Sequence, residues 1–171
     1  MTETAQLEKS GFLVNLARRA NARIPPKNAA KYVVLVIEDD ASLRALLADI
    51  FTRAGYEMRF ASNLPEINVA LKRGEELDIV LLDVTLPDAN GLDLLLRLRK
   101  HPRFEKLPVI MMTAKSSAKD VSAGLAAGAD GYVSKPFKLS ALLKAVQLVL
   151  LQQEFGRPYV APPNQIGRAH V

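Results

Sequence analysis

The chain of 171 residues contains no cysteine and no tryptophan, and it lacks any apolar run of bilayer-spanning length. Without cysteine, disulfide bonds and thiol catalysis are excluded, and this composition is typical of a cytoplasmic protein. A transmembrane helix needs about 20 apolar residues in succession, so we expect no membrane association. The first ten residues are polar and do not resemble a secretory signal. These absences indicate a cytoplasmic protein that folds around its own core.

The central region also lacks an excess of charge of either sign. Residues 1–31 carry six basic and two acidic side chains, and residues 32–153 carry fifteen of each. Residues 154–171 carry two basic and one acidic side chain, which completes the net charge of +5. Proteins that bind nucleic acid concentrate basic side chains on one face. The charge distribution therefore predicts no direct contact with nucleic acid.

Five apolar stretches alternate with five amphipathic stretches between residues 32 and 153. The apolar stretches predict strands at 32–37, 57–61, 79–82, 109–112 and 132–134. The amphipathic stretches predict helices at 41–54, 63–73, 90–99, 119–127 and 140–153. Strands that alternate with helices in this way favour an α/β fold, with a doubly wound parallel sheet covered by helices on both faces.

Segments of different composition flank this region. Residues 1–30 have apolar side chains at helical spacing, and Pro25 and Pro26 end any helix there. Two hypotheses follow for this extension: a partly ordered leader, or an amphipathic helix that docks on its own domain or on a partner. Residues 154–171 are rich in glycine and proline and predict an extended or disordered tail. The expected organisation is an extension at 1–30, a domain at 31–153 and a tail.

Polar side chains follow four of the predicted strands at their carboxyl ends. Glu38 and Asp39 follow the first strand, Asp83 the third, Thr113 the fourth and Lys135 the fifth. Ligands of open α/β sheets bind outside these ends, so we expect the five side chains to converge. Clustered carboxylates suit Mg²⁺, and an ammonium with a hydroxyl suits the oxygens of a phosphoryl group. The pattern therefore predicts phosphoryl transfer to an aspartate.

The same residues stand within four motifs that occur in order along the chain. They are Val36-Ile37-Glu38-Asp39-Asp40, Leu81-Leu82-Asp83-Val84-Thr85-Leu86-Pro87 with Gly91 beyond it, Met112-Thr113-Ala114, and Tyr132-Val133-Ser134-Lys135-Pro136-Phe137. Over residues 32–153 the chain resembles the response-regulator receiver domains of bacterial two-component signalling. The resemblance implies a (βα)5 fold with the flavodoxin-like strand order 2-1-3-4-5.

The resemblance also implies roles for the acidic residues. Asp83 would be the phosphoacceptor, which takes a phosphoryl group from a phosphohistidine. Asp39 and Asp83 would bind Mg²⁺ or Mn²⁺ directly, with Glu38 acting through water. The backbone carbonyl of Thr85 would be a further metal ligand. The protein would then be a signalling phosphoacceptor rather than an enzyme, although it would assist its own phosphotransfer and autodephosphorylation.

The remaining motif residues would sense the phosphoryl group. Thr113 and Lys135 would each bind a phosphoryl oxygen, and Tyr132 matches the aromatic residue that turns inward on activation. Pro136 matches the cis-proline of the family. Activation would shift the population between two conformations that already exist.

The implied partners are a sensor histidine kinase or a histidine phosphotransfer protein, and a downstream protein. Only eighteen residues follow residue 153, and the chain begins with Met1, so we expect a single-domain response regulator. The alternatives are a receiver excised from a larger regulator or hybrid kinase, and a phosphorylation-controlled homodimer. On the last helix, Leu148, Leu151 and Phe155 fall outside the core stripe and predict a contact surface.

Two alternatives at the site depend on single residues. If the register slips by one, Asp39 and Asp40 form the acidic pair and Glu38 drops out, although Asp40 is also well placed to cap the first helix. An aspartyl-phosphate hydrolase of the haloacid-dehalogenase type would need a second aspartate two residues after the nucleophile. Thr85 occupies that position and has no carboxylate for the acid–base step.

Overall fold

The computed structural model describes residues 2–3, 14–17, 25–27 and 30–150. Within these ranges, no helix combines the length and the apolar character that crossing a membrane requires. The tail at 154–171 and most of the extension at 1–30 lie outside the described residues.

One sheet runs through the described part of the chain. Its strands are β1 (Thr2–Glu3), β2 (Val14–Ala17), β3 (Val33–Ile37), β4 (Glu57–Ala61), β5 (Ile79–Leu82), β6 (Val109–Thr113) and β7 (Gly131–Ser134). Their order across the sheet is β1-β2-β7-β6-β5-β3-β4. The five strands from β3 to β7 are parallel and, numbered among themselves, have the predicted order 2-1-3-4-5, which confirms the fold.

Five helices connect or follow these parallel strands. They are α1 (Ala41–Arg53), α2 (Leu64–Lys72), α3 (Gly91–Lys100), α4 (Ala118–Ala126) and α5 (Leu139–Leu150), with a short 3-10 turn at Gly74–Glu76. At the starts of α1 to α4, a side-chain oxygen accepts a hydrogen bond from a backbone N–H group that has no partner within the helix. The capping residues are Asp40, Asn63, Asn90 and Ser117. Asp40 therefore has a structural role, since its side chain caps α1.

The sheet separates two apolar layers, because successive residues of a strand point to opposite faces. Val34 and Val36 pack with Phe51 and Leu142 in the layer under α1 and α5. Residues of the opposite parity, such as Leu35, pack in the layer under α2, α3 and α4. Strands β3, β5 and β6 are therefore buried on both faces, and polar side chains are confined to the strand ends.

The helix predicted within the extension is wrong where the structure describes it, since Val14–Ala17 form a strand. Strand β2 pairs antiparallel with β7, in the register Val14 to Val133 and Leu16 to Gly131. A short apolar run fits a strand as well as a helix. Strand β7 is the outermost parallel strand, and its open backbone groups favour pairing. The extension therefore continues the sheet instead of covering it with a helix.

The structure describes only one residue, Leu148, of the contact surface predicted on the last helix. Leu148 is half-buried and packs against the layer under α1 and α5. Strand β2 lies against α5, and Ala141 and Ala145 are buried there. Residues 151 and 155 of the predicted surface lie outside the described residues.

Candidate functional site

Three carboxylates meet at the carboxyl ends of β3 and β5. Glu38 and Asp39 follow β3 directly, and Asp83 follows β5. One oxygen from each of the three lies within 4.8 Å of the others. Glu38 and Asp83 are 1% and 5% exposed, whereas Asp39 is exposed. The convergence expected from the strand ends is present, and it includes Glu38 rather than Asp40.

The ammonium of Lys135 lies between the two buried carboxylates. Its Nζ is 2.5 Å from Oε1 of Glu38 and 3.0 Å from Oδ2 of Asp83. Strand β7 delivers this lysine, and its backbone N–H donates to the carbonyl of Thr113 at 2.8 Å. The Lys135–Pro136 peptide bond is cis, the isomer that the resemblance implied.

Backbone N–H groups hold the second oxygen of each buried carboxylate. The N–H of Thr85 donates to Oδ1 of Asp83 at 3.0 Å, and the N–H of Asp40 donates to Oε2 of Glu38 at 3.1 Å. Each acid is thus fixed in orientation by one backbone donor and shares one lysine. Because a carboxylate has about four lone-pair sites, both acids retain capacity for further donors or for a metal.

The charges at the site are unbalanced. Burial raises the pKa of Glu38 above its ordinary value, because the hydrogen bonds from Lys135 and Asp40 compensate only in part and Asp83 adds repulsion. Burial alone would lower the pKa of Lys135, but the hydrogen bonds to Glu38 and Asp83 outweigh it and raise that pKa. The lysine therefore stays protonated, and one positive charge faces three carboxylates.

The donor set fits a hard divalent cation. Glu38, Asp39 and Asp83 offer only oxygen ligands, which Mg²⁺ and Mn²⁺ prefer over softer sites. Their excess negative charge is the electrostatic condition that a bound cation relieves. The acidic pocket predicted from the strand ends is therefore chemically suited to the predicted metal.

Thr113 ends β6 beside this cluster and is 1% exposed. Its Oγ1 accepts from the N–H of Lys115 at 3.3 Å, the long end of hydrogen-bond distances. The β6–β7 register pairs Thr113 with Ser134, the residue before Lys135. The hydroxyl therefore lies at the same sheet edge as the carboxylates and the lysine.

Tyr132 is turned inward from the middle of β7 and is 1% exposed. Its hydroxyl donates to the carbonyl of Lys115, in the loop that follows Thr113. Its ring lies against α4, where a Cβ on Gly124 would come within 2.8 Å of the ring. Burial, with the charges of Asp120 and Asp83, raises the pKa of Tyr132 to about 12, so the phenol remains a neutral donor.

Other residues support the site although the sequence analysis assigned them no role there. Arg44, in the first turn of α1, donates to the carbonyl of Glu38 at 2.9 Å. Asp88, in the loop after β5, accepts from the N–H of Leu64 at 2.9 Å and ties that loop to α2. A Cβ on Gly91 would collide with the carbonyl of Asp83. Among these contacts the sequence signals are the position of Arg44 shortly after the acids and the place of Gly91 in the motif that contains Asp83.

The comparisons with known proteins agree on one family. The family model for the response regulator receiver domain matches residues 34–147. The transcriptional regulatory protein GltR of Pseudomonas aeruginosa is 38% identical over 122 residues, which are 71% of this chain and 50% of that protein. The phosphate regulon transcriptional regulatory protein PhoB of Rhizobium meliloti is 37% identical over 118 residues, 68% of this chain and 51% of that protein. The chain thus spans about half the length of these relatives.

Solved structures share the fold over nearly their whole length. The chemotaxis response regulator CheY4 of Vibrio cholerae has a TM-score of 0.65 and 29% identity, and the match covers 70% of this chain and 99% of that one. A chain of the CheX–CheY–BeF3–Mg²⁺ complex of Borrelia burgdorferi has a TM-score of 0.67 and 26% identity, with 75% and 96% covered. On this basis the chain belongs to the response regulator receiver domain family, whose members are phosphoacceptors of two-component signalling.

Proposed function

We propose that this chain accepts a phosphoryl group from a phosphohistidine onto Asp83 and then changes conformation to control a protein partner. The observation that carries the proposal is the position of Lys135 Nζ, within 3.0 Å of both Glu38 and Asp83, inside a cluster of three carboxylates. The donor would be a cytoplasmic sensor histidine kinase or a histidine phosphotransfer protein.

The transfer itself needs a held nucleophile and neutralised charge. A carboxylate oxygen of Asp83 would attack phosphorus; the P–N bond would break, and its electron pair would stay on the imidazole of the donor. The N–H of Thr85 orients the Asp83 carboxylate, and Lys135 lies where it can pair with the negative charge of the transferred group. Positioning and electrostatic stabilisation are the main contributions in phosphoryl transfer.

The metal would be held by Asp39 and Asp83, by Glu38 through water, and by the backbone carbonyl of Thr85. When bound, Mg²⁺ or Mn²⁺ would supply positive charge against the phosphoryl oxygens. The oxygen-only donor set supports this assignment. The presence of BeF3 and Mg²⁺ together in the Borrelia burgdorferi complex supports it by similarity.

The response would pass through Thr113 and Tyr132. The Thr113 hydroxyl would donate to a phosphoryl oxygen, and the loop after it is already joined to Tyr132 through the carbonyl of Lys115. A phosphoryl group that binds one arrangement of this loop more tightly shifts the population toward it. Tyr132 is buried between this loop and α4, which makes that helix the nearest element to respond.

The output is a second part of the proposal. We favour a single-domain regulator that acts on a downstream protein without contacting nucleic acid. A receiver module of a larger transcriptional regulator is the second candidate, because GltR and PhoB carry that name and are about twice as long as the match. A phosphorylation-controlled homodimer is the third. Light scattering with and without Mg²⁺ and beryllofluoride separates the third from the others, since only a dimer doubles the molar mass.

Phosphorylation by acetyl phosphate in the presence of Mg²⁺ tests the proposal directly. Intact mass should show one added phosphoryl group on the wild type and none on Asp83→Asn. Asp93→Asn, an exposed aspartate on α3, is the matched control and should be labelled like the wild type. Equal labelling of wild type and Asp83→Asn would refute the assignment of the phosphoacceptor.

A further inference from the structure

The hydroxyl of Ser134 is buried without a hydrogen-bond partner. Ser134 is 7% exposed, and its Oγ is the only buried side-chain nitrogen or oxygen in the described part of the chain that lacks a partner. An unsatisfied buried polar group costs about 1–3 kcal/mol, and native structures contain few of them. A partner that is present in another state of the site would satisfy this hydroxyl.

The register of the sheet indicates which group that partner is. Ser134 and Thr113 are paired residues of the neighbouring parallel strands β7 and β6, so their side chains lie side by side on one face. Neighbouring strands lie about 4.8 Å apart, a distance that two hydroxyl groups can close by rotation about χ1. The nearby ammonium of Lys135 directs two of its three N–H donors to Glu38 and Asp83.

We propose that Ser134 is a positioning residue for the phosphoryl group and acts through Thr113. A threonine hydroxyl has one donor hydrogen and two acceptor lone pairs. When Thr113 donates to a phosphoryl oxygen, it can still accept a hydrogen bond from Ser134. The result is a chain in which Ser134 donates to Thr113 and Thr113 donates to the phosphoryl group. Hydrogen bonds in such a chain polarise and strengthen one another.

This inference rests on the proposed function, and it predicts an asymmetry between the two states. In the free protein the Ser134 hydroxyl makes no hydrogen bond, so its removal should not destabilise the fold. In the phosphorylated state it makes one, so its removal should weaken the binding of a phosphoryl mimic. A residue with a purely structural role would give the opposite pattern.

The pair Ser134→Thr and Ser134→Val isolates the hydroxyl, because threonine and valine have nearly the same shape. We expect about a fivefold to tenfold weaker affinity for beryllofluoride in the valine variant than in the threonine variant, at saturating Mg²⁺. The measurement is a titration followed by ¹⁹F NMR. Ser134→Ala, which adds no atoms, should show the same loss relative to wild type and should melt no lower than wild type without ligand. Ser122→Ala, at an exposed position of α4, is the control and should bind like wild type.

The outcomes separate this inference from the proposed function. If wild type binds beryllofluoride and Ser134→Thr and Ser134→Val bind it equally, the role of Ser134 is refuted while the function stands. A lower melting temperature of Ser134→Ala without ligand, with unchanged affinity, refutes it as well. If wild type fails to bind the mimic, or Asp83→Asn is labelled like wild type, the proposed function fails first.

Discussion

Buried acids lie at both ends of the parallel strands, but the two ends hold them differently. Glu38 and Asp83 are at the carboxyl end, and Asp78 and Asp130 are at the amino end. All four are at most 5% exposed. Both ends therefore hold buried carboxylates, and we expect the functional difference to lie in the groups that hold those carboxylates.

At the amino end, fixed donors surround each acid. Asp78 precedes β5 and accepts from the N–H of Val33 at 2.8 Å and from the N–H of Lys27 at 3.0 Å. It thus joins the start of β3 to the segment that leads into the domain. Backbone donors cannot leave while the fold persists, so this carboxylate is a structural element.

Asp130 is held in a similar way, with an arginine added. Its Oδ2 accepts from the N–H of Val109 at 2.9 Å and from Nη2 of Arg99 at 3.1 Å. Arg99 also donates to three carbonyls; they belong to Phe104, Leu107 and Gly128. The guanidinium thereby fixes the end of α3 to the starts of β6 and β7.

At the carboxyl end, one lysine serves two buried acids and a third acid lies beside them. Each buried acid has a single backbone donor, from Asp40 or from Thr85. The negative charge of the three carboxylates exceeds the positive charge of Lys135, and the carboxylate oxygens retain lone pairs for further donors or a metal. The comparison teaches that a buried acid becomes a binding site when its donors are few and shared, and a structural element when they are fixed and sufficient.

The largest expected difference between the two ends is in stability. Asp130→Ala should lower the free energy of unfolding by about 3 kcal/mol, because it leaves Arg99 without its carboxylate and the buried N–H of Val109 without an acceptor. Asp83→Ala should cost much less, since it also removes a charge that repels Glu38. Urea unfolding of both variants measures the difference, and equal losses would contradict the distinction between the ends.

Asp78→Ala should cost about 2 kcal/mol, because two backbone donors lose their acceptor. The variant should still be labelled by acetyl phosphate below its melting temperature, since Asp78 lies at the opposite end from Asp83. Asp49→Ala, which breaks an exposed ion pair with Arg53, should change stability by no more than about 0.5 kcal/mol. Loss of labelling in folded Asp78→Ala would show that the two ends are coupled.

The sequence was most informative where local rules decide the structure. The alternation of strands and helices predicted the five parallel strands and their helices to within a few residues. The predicted helices at 63–73 and 90–99 began at Asn63 and Asn90, which are the N-caps in the structure. The side chains after the strands converge because parallel strands end at one edge of a sheet. For this reason Asp83 and Lys135 were predicted together although 52 residues separate them.

Long-range contacts were not predictable in the same way. The clamp between Arg99 and Asp130 joins residues 31 apart, and no local pattern marks either one. The unpartnered hydroxyl of Ser134 becomes visible only when the strand register is known. The helix expected at Val14–Ala17 is a strand because the open edge of β7, not the local periodicity, decides its pairing.

Mg²⁺ should stabilise the protein through the carboxyl end alone. At ten times its dissociation constant, a ligand that binds only the folded state adds about 1.4 kcal/mol. We expect this gain in wild type and in Asp78→Asn. The gain should be smaller in Asp39→Asn, which removes the charge of an exposed side chain of the carboxylate cluster. Thermal melts with and without Mg²⁺ give the three values. An equal gain in Asp39→Asn would remove that residue from the metal site.

The smallest effect concerns Glu66, an exposed acid held by fixed donors near the carboxyl end. Its Oε1 accepts from the N–H of Ser62 at 2.7 Å and from the Ser62 hydroxyl at 2.8 Å. These bonds, aided by Arg44, lower the pKa of Glu66 below its ordinary value of 4.5, whereas burial raises the pKa of Glu38. The opposite directions follow from burial, because desolvation has the largest effect on the pKa of the buried Glu38, whereas the hydrogen bonds from Ser62 have the largest effect on the pKa of the exposed Glu66.

An acid with a lowered pKa in the folded state stabilises the protein above its unfolded pKa, and this stability is lost as the pH falls through the folded value. The stability difference between wild type and Glu66→Gln should therefore be present at pH 7 and shrink below about pH 4.5. Ser62→Ala removes only the hydroxyl donor and should show part of the same difference. Urea unfolding across this pH range is the measurement. A difference that grows as the pH falls would mean that the charge on Glu66 destabilises the fold, and fixed donors would then not be what determines the titration of this carboxylate.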